Sequence, residues 1–193
     1  MKNLTAALLS LAVSASAAPL TPLSAASDAA RRSAACAPRV PMEYSQSAPV
    51  PVRHEGGVRY RVMFYRAVGE GPADDDLQVL SHIIVAEFDS NGAAVDCKVP
   101  AAFPKRKNRF ASLGPMMSAA TLKMTGAAYQ EREAKLYAAI ERAAGAFAAG
   151  RKDAKAAAAF RALFEAHAEP ALKEHYRALS PEFFAWAGMP GKE

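Results

Sequence analysis

The sharpest local charge in this sequence is a short basic run with a phenylalanine on either side of it. Its charged members are Lys105, Arg106, Lys107 and Arg109. Clusters of lysine and arginine bind phosphates and anionic lipid headgroups by charge attraction. We expect the run to form a loop that contacts an anionic component, such as a lipid headgroup, lipopolysaccharide or a cell-wall polymer. The alternative is an ordinary solvated loop.

The chain contains two cysteines, Cys36 and Cys97. In an oxidising compartment a single pair of cysteines usually forms a disulfide, and we expect this bond here. Closing a loop of about 60 residues stabilises a fold by on the order of 4 kcal/mol in the chain-entropy account. The alternative is a pair of separate thiols, with Cys97 a small buried apolar residue. The spacing excludes a C-x-x-C redox motif.

The four histidines stand in no catalytic motif: His54, His82, His167 and His175. The sequence also contains no G-x-S-x-G elbow, H-E-x-x-H zinc helix, Walker A loop or G-x-G-x-x-G turn. A catalytic histidine needs a partnered nucleophile or carboxylate, and no spacing in the sequence assembles one. We therefore predict no catalytic residue and no cofactor. A hydrolase with active-site residues dispersed along the chain stays open as an alternative.

Two acidic clusters have the composition of metal sites without the spacing. Glu165 and Glu169 share one helix face, whereas His167 lies about 200° around the helix from each of them. Asp74–Asp76 are consecutive, so they lack the alternating ligands and central glycine of a calcium loop. We predict solvated carboxylates in both places and no metal site.

The first seventeen residues have the order of a secretory signal peptide. Lys2 supplies the positive charge, and Leu4–Val13 form a short apolar stretch. Ala15-Ser16-Ala17 then forms a small-residue cleavage site before Ala18. The stretch is shorter than the roughly 20 residues of a transmembrane helix. We expect export to the periplasm or the extracellular space, with no transmembrane segment in the mature chain. An uncleaved N-terminal anchor is the alternative.

The net charge of +5 comes entirely from the second half of the chain. Up to Cys97 there are eight Lys and Arg against ten Asp and Glu, and from Lys98 onward there are sixteen against nine. A basic half favours contact with an anionic surface. Since exported proteins seldom meet nucleic acid, we expect an anionic envelope component as the partner and no nucleic acid.

The strand signals lie between residues 58 and 99. Residues 18–52 are rich in Ala, Ser and Pro and should be flexible to extended, with an edge strand near the end. Val58–Val68 alternate as a half-buried strand does. Asn91-Gly92 favours a two-residue type I′ hairpin turn, which would set Phe88 opposite Val95 and Ala86 opposite Cys97.

Helical signals fill the remainder, from about residue 117 to residue 187. Ser118 is a candidate N-cap, Gly150 ends one helix and Asp153 begins the next. Ser180 followed by proline begins a further helix. Apolar residues recur at three-, four- and seven-residue spacing, and we expect the aromatic residues among them to form core rather than a pocket.

Taken together, these signals predict an α+β fold. We expect a small antiparallel sheet of three to four strands, followed by a helical C-terminal half that packs on one face, as one domain over residues 53–188. The function we expect is that of an exported, non-enzymatic binding or accessory protein of the cell envelope or extracellular space. The alternatives are the dispersed hydrolase and an Ala-rich helical protein with a structural or chaperone-like role.

The export signal makes a direct prediction. Cleavage after Ala17 leaves Ala18 as the first residue of the exported protein. N-terminal sequencing of protein recovered from outside the cytoplasm should therefore begin Ala-Pro-Leu. Recovery of intact protein that still begins at Met1 would contradict cleavage.

Overall fold

The computed structural model describes Cys36 and residues 45–55, 57–69, 77–99, 107–109, 123–168 and 172–191. The predicted signal peptide and most of the segment before Ser45 lie outside these residues. Within them the prediction of an α+β fold is confirmed, because antiparallel strands precede a helical C-terminal half.

Six strand segments and four helices occur in the described residues. The strands are β1 Ser45–Gln46, β2 Val50–His54, β3 Gly57–Gly69, β4 Leu77–Phe88, β5 Ala94–Lys98 and β6 Lys107–Arg109. The helices are α1 Gly126–Ala148, α2 Ala154–His167, α3 Lys173–Leu179 and α4 Pro181–Trp186. The sheet thus extends beyond residues 58 and 99 at both ends.

The sheet is built around the antiparallel pair β3–β4. Both β1 and β2 pair with β3, and both β5 and β6 pair with β4, all of them antiparallel. The sheet is therefore four strand positions wide. Pro51 lies in β2 at one edge, as the prolines predicted, because an edge strand tolerates a missing N–H.

β3 is more deeply buried than its alternating pattern predicts. Met63 and Tyr65 belong to a core cluster that includes the helices, and Val62 and Phe64 belong to a second cluster. All four side chains are at most 1% exposed. The expectation of a half-buried strand is therefore wrong over this stretch, since both sides of the strand are covered.

The β4–β5 hairpin has the predicted pairing of Ala86 with Cys97, but its turn differs. Phe88 lies opposite Ala94, because the register shifts and leaves Val95 as the extra residue of a bulge. The Asp89 carboxylate accepts hydrogen bonds from the backbone N–H groups of Asn91 and Ala93, both at 2.9 Å. These bonds favour the longer connection over the predicted two-residue turn.

The helix boundaries follow local capping. The Asp153 carboxylate accepts a bond of 2.9 Å from the Ala156 N–H at the start of α2, and Gly150 takes a φ of 66° just after α1. The predicted start of a helix at Asp153 and the predicted end of the preceding helix at Gly150 are confirmed. The Thr125 hydroxyl caps α1. Ser180 holds the N-cap position of α4, but its side chain makes no capping hydrogen bond.

Within the described residues, hydrogen bonds join the helices to β2, β3 and the chain between β1 and β2. Arg53 Nε donates to the Phe147 carbonyl at 3.0 Å, and its guanidinium lies 4.4 Å from the centre of that ring. Arg61 donates to the Leu179 carbonyl at 2.9 Å. The backbone N–H of Ala48 donates to the Tyr176 hydroxyl at 3.0 Å. The arginines thus bind carbonyls in the last turns of α1 and α3, and the Phe147 carbonyl also accepts a bond of 3.0 Å from the Gly150 N–H.

The Asp153 cap gives a test of this part of the fold. Replacing Asp153 by alanine leaves the Ala156 N–H without its acceptor, and we expect a loss of about 1 kcal/mol in the free energy of unfolding. Urea denaturation measures the loss, with Lys152→Ala at the exposed neighbouring position as the matched control. Equal stability of the two variants would contradict the role of the cap.

Candidate functional site

The outer edge of the sheet is formed by β5 and β6. Lys98 lies opposite Val85, and Lys107 lies opposite Val79. Because a strand rises about 3.3 Å per residue, these two positions on β4 are about 20 Å apart. β6 therefore continues this edge in the direction of β5, with residues 99–106 between the two strands.

The predicted basic run leads into β6. Lys107 and Arg109 pair with Val79 and Leu77, so the expectation of a loop is wrong for the last three residues of the run. β4 extends well beyond the end of β5. β6 pairs with this extension, whose backbone N–H and C=O groups would otherwise have no strand beside them. Lys105 and Arg106 lie outside the described residues. We call Lys98 together with these four basic residues the basic edge.

β5 and the residue that follows it expose apolar and charged side chains side by side. Val95 and Val99 are 40% and 69% exposed, and they are the exposed large apolar residues of the described chain. The Lys98 ammonium lies 2.5 Å from the Asp96 carboxylate and, with the Cys97 N–H, holds the pKa of Asp96 below its usual range. Asp96 thus offsets the charge of Lys98, so the net positive charge of the basic edge comes from the basic run.

The two cysteines predicted to pair are brought together beneath this edge. Cys36 is fully buried, and Cys97 is 4% exposed. The two residues lie 2.6 Å apart, a separation that does not by itself define a disulfide bond. Cys36 Sγ is also 3.6 Å from the Asp96 carbonyl oxygen. The structure supports the proximity of the pair, and the bond stays a prediction.

Both cysteines belong to a buried cluster on the face of the sheet that we call the second face. Its described members are Cys36, Val62, Phe64, Ile84, Ala86, Phe88 and Cys97. Each is at most 6% exposed. Among the residues that the structure describes, no helical side chain belongs to this cluster. Cys36 is its one described member from outside the sheet.

A histidine that the sequence analysis considered only beside two glutamates is buried among the helices. His167 is fully buried at the end of α2, and its ring centre lies 5.1 Å from that of Tyr129. Neither ring nitrogen has a hydrogen-bond partner among the described residues. Burial, and then the positive charge of Arg132, lower the pKa of His167. The imidazole is therefore neutral at pH 7 and is not coupled to a nucleophile in this part of the chain.

Two tyrosines and a glutamate continue this polar region along α1. Tyr129, Glu133 and Tyr137 follow one another at intervals of four residues, which sets them on one side of the helix. Burial raises the pKa of both tyrosines, and the Glu133 charge adds to the effect. Burial also raises the pKa of Glu133. The four-residue spacing of these residues could have indicated this polar region from the sequence, but the same spacing is equally typical of a core helix.

The acidic and aromatic clusters of the sequence separate in the structure. Glu165 is exposed and forms an ion pair with Lys173, whereas His167 is buried. Phe183 and Phe184 are fully buried against other aromatic rings, as expected for core. Asp74–Asp76, Glu169 and the side chain of His82 lie outside the described residues.

Comparison with known proteins assigns no family. No protein-family model, curated protein or solved structure matches the chain. Within the described ranges, no three His, Cys, Asp or Glu residues are grouped so that they could hold a metal ion. The described helices also include none with both the length and the apolar character needed to cross a membrane.

The buried histidine predicts a dependence of stability on pH. Its pKa is lower in the folded chain than the ordinary 6.5, so the unfolded chain takes up the proton first as the pH falls. The free energy of unfolding should therefore decrease as the pH falls below about 6.5. We expect His167→Phe to remove this contribution to the decrease in the free energy of unfolding. Urea denaturation at several values between pH 7 and pH 5 measures it.

The matched control is the same substitution at an exposed histidine. His54→Phe should keep the pH dependence of the original protein, because His54 is exposed in β2. Identical pH dependence in the original protein and in His167→Phe would show that His167 does not have the lowered pKa.

Proposed function

We propose that this protein is an exported, non-enzymatic binding protein of the cell envelope, and that its basic edge holds an anionic component of that envelope. The observation that carries the proposal is the continuation of the basic run into β6 at the outer edge of the sheet. An edge strand faces its surroundings along one side, so charges on or beside it reach a large ligand without a pocket.

The surroundings of the basic edge favour an anionic lipid headgroup as that component. Val95 in β5 and Val99 directly after it expose apolar surface, and the chain leads from there toward the basic run. Apolar side chains next to lysine and arginine are typical of proteins that lie on a membrane surface, where the apolar groups enter the interface and the cations contact phosphate.

The distribution of charge supports the same partner. The second half of the chain has sixteen Lys and Arg against nine Asp and Glu, and the basic run is its densest group. A surface of this charge attracts anions over roughly 8 Å at physiological salt. Attraction of this kind gives affinity without a catalytic site, which is the basis for proposing binding rather than hydrolysis.

A set of charge variants tests the proposal. The basic-edge variant replaces Lys105, Arg106, Lys107 and Arg109 by alanine. Each basic residue near an anionic leaflet contributes about 1 kcal/mol, so we expect affinity for vesicles to fall by on the order of a hundredfold or more. Co-sedimentation with vesicles of equal parts phosphatidylglycerol and phosphatidylcholine measures the loss.

The matched control removes the same charge from the helical half. It replaces four exposed basic residues by alanine: Lys123, Arg142, Lys152 and Lys155. We expect this variant to bind vesicles almost as tightly as the original protein. An equal loss in both variants would show that net charge rather than the basic edge governs binding, and no binding by the original protein would overturn the lipid proposal.

A further inference from the structure

The strand β5 and the residue after it have a sequence that is complementary to itself about Cys97. Val95 and Asp96 come before Cys97, and Lys98 and Val99 come after it. The two valines and Lys98 are exposed, and Asp96 is partly exposed. β5 is also the last strand in the order of the sheet that the structure describes. A strand at a sheet edge can pair with a strand of another molecule.

Hydrogen bonds of β3 show which way the backbone of β5 faces. The Met63 N–H donates to the Ser47 hydroxyl at 2.9 Å, and the Met63 carbonyl accepts from the Ser47 N–H at 2.8 Å. The backbone groups of Met63 thus face away from β4, so those of Val62 face Ala86 in β4. Opposite residues in an antiparallel pair either bond to each other or both face away. Because the Ala86 backbone groups face β3, those of Cys97 opposite it face the outer side of β5.

The hydrogen bonding of Asp96 agrees with this direction. The Cys97 N–H donates to the Asp96 carboxylate at 2.8 Å, and the same carboxylate pairs with the Lys98 ammonium. In the single chain a side chain therefore binds an N–H group that faces the outer side. A pairing strand would offer this N–H a backbone carbonyl instead, and the carboxylate would keep cations as partners.

Antiparallel pairing of two copies about a two-fold axis at Cys97 brings complementary side chains together. Val95 then lies opposite Val99 of the second copy, and Asp96 lies opposite Lys98. Each match occurs twice, because a two-fold dimer uses the same patch on both copies. A shift by two residues in either direction would set Asp96 opposite Asp96 or Lys98 opposite Lys98. Since like charges directly opposite each other are destabilising, the charges specify one register.

We propose that the protein forms a two-fold dimer in which β5 pairs with β5 of a second copy, centred on Cys97. Val95 and Val99, the exposed large apolar residues of the described chain, contact each other across the pair. The dimer joins two sheets of four strand positions into one of eight. Two five-residue strands bury less area than a tight dimer needs, so we expect a dissociation constant on the order of 100 µM.

This dimer leaves the described part of the basic run uncovered. Lys107 lies about 20 Å further along β4 than Lys98, beyond the paired strands. The two-fold axis repeats the run at the opposite end of the joined sheet. The dimer would therefore present two basic runs to an anionic surface, and two linked contacts bind more tightly than one. The dimer itself does not rest on the proposed function.

Sedimentation equilibrium of the chain from Ala18 onward tests the dimer without any lipid. We expect the average mass to rise from that of one chain toward that of two between about 10 µM and about 1 mM protein. The mass of a single chain at the highest concentration would overturn the proposal. It would show that the bulge at Val95 and the charge of Lys98 protect this edge from pairing.

An exchange of charges tests the register. Asp96→Lys sets a lysine opposite Lys98 of the second copy, and Lys98→Asp sets an aspartate opposite Asp96. Each variant alone should dimerise about tenfold more weakly or worse, whereas an equal mixture should regain the affinity of the original protein, because positions 96 and 98 then carry opposite charges across the pair. Circular dichroism shows whether each variant is folded. Folded variants that do not associate in the mixture would overturn the register.

The matched control is Glu131→Lys in α1. Glu131 is exposed and pairs with Lys135, so this variant makes the same change of charge at another ion pair. It should dimerise as the original protein does. An equal loss in Glu131→Lys and Asp96→Lys would show that net charge, rather than β5, governs association.

Amide hydrogen exchange of the original protein locates the interface. The N–H groups of Cys97 and Val99 face the second copy, so they should exchange more slowly at about 1 mM protein than at about 10 µM. Those of Asp96 and Lys98 face β4 in both states and should change little. Slowing confined to the helices would overturn the pairing of β5.

The basic-edge variant separates the dimer from the proposed function. It keeps residues 95–99 and should dimerise as the original protein does. Failure of the original protein to bind vesicles would count against the proposed function alone, and failure to dimerise would count against the dimer alone.

Discussion

The pairing of β3 with β4 is the interaction on which the rest of this structure depends. Every other described strand pairs with one of these two, and their side chains contribute to both apolar clusters. A sheet that is apolar on both faces must be covered on both, because burial of apolar surface is the main stabilising contribution to folding. One cluster joins side chains of the sheet to side chains of the helices, and the other joins sheet side chains to Cys36.

Much of the fold followed from local signals, and the differences arose where side chains overrode them. The strand at β3, the pairing of Ala86 with Cys97, the end of α1 and the start of α2 rest on alternation and capping, which act over a few residues. The hairpin turn differed because the Asp89 carboxylate binds two backbone N–H groups. The Asn91-Gly92 dipeptide predicts a two-residue turn, but it does not show that a neighbouring side chain will bind the backbone of the turn.

The candidate sites were less predictable because they depend on contacts between distant residues. The basic run was evident as charge, but its entry into β6 depends on the length by which β4 exceeds β5. The sequence placed His167 beside Glu165 and Glu169, and only the packing of α2 against α1 shows that its ring nitrogens are buried without partners in the described chain. The proximity of Cys36 to Cys97 was predicted from their number and compartment, not from local structure.

We propose one edge of the sheet as the binding surface. Amide hydrogen exchange, compared with and without vesicles of equal parts phosphatidylglycerol and phosphatidylcholine, tests that assignment most directly. We predict slower exchange on binding over residues 94–99 and 105–109, with little change in the four helices. Slower exchange confined to the helices, with none at this edge, would contradict the account.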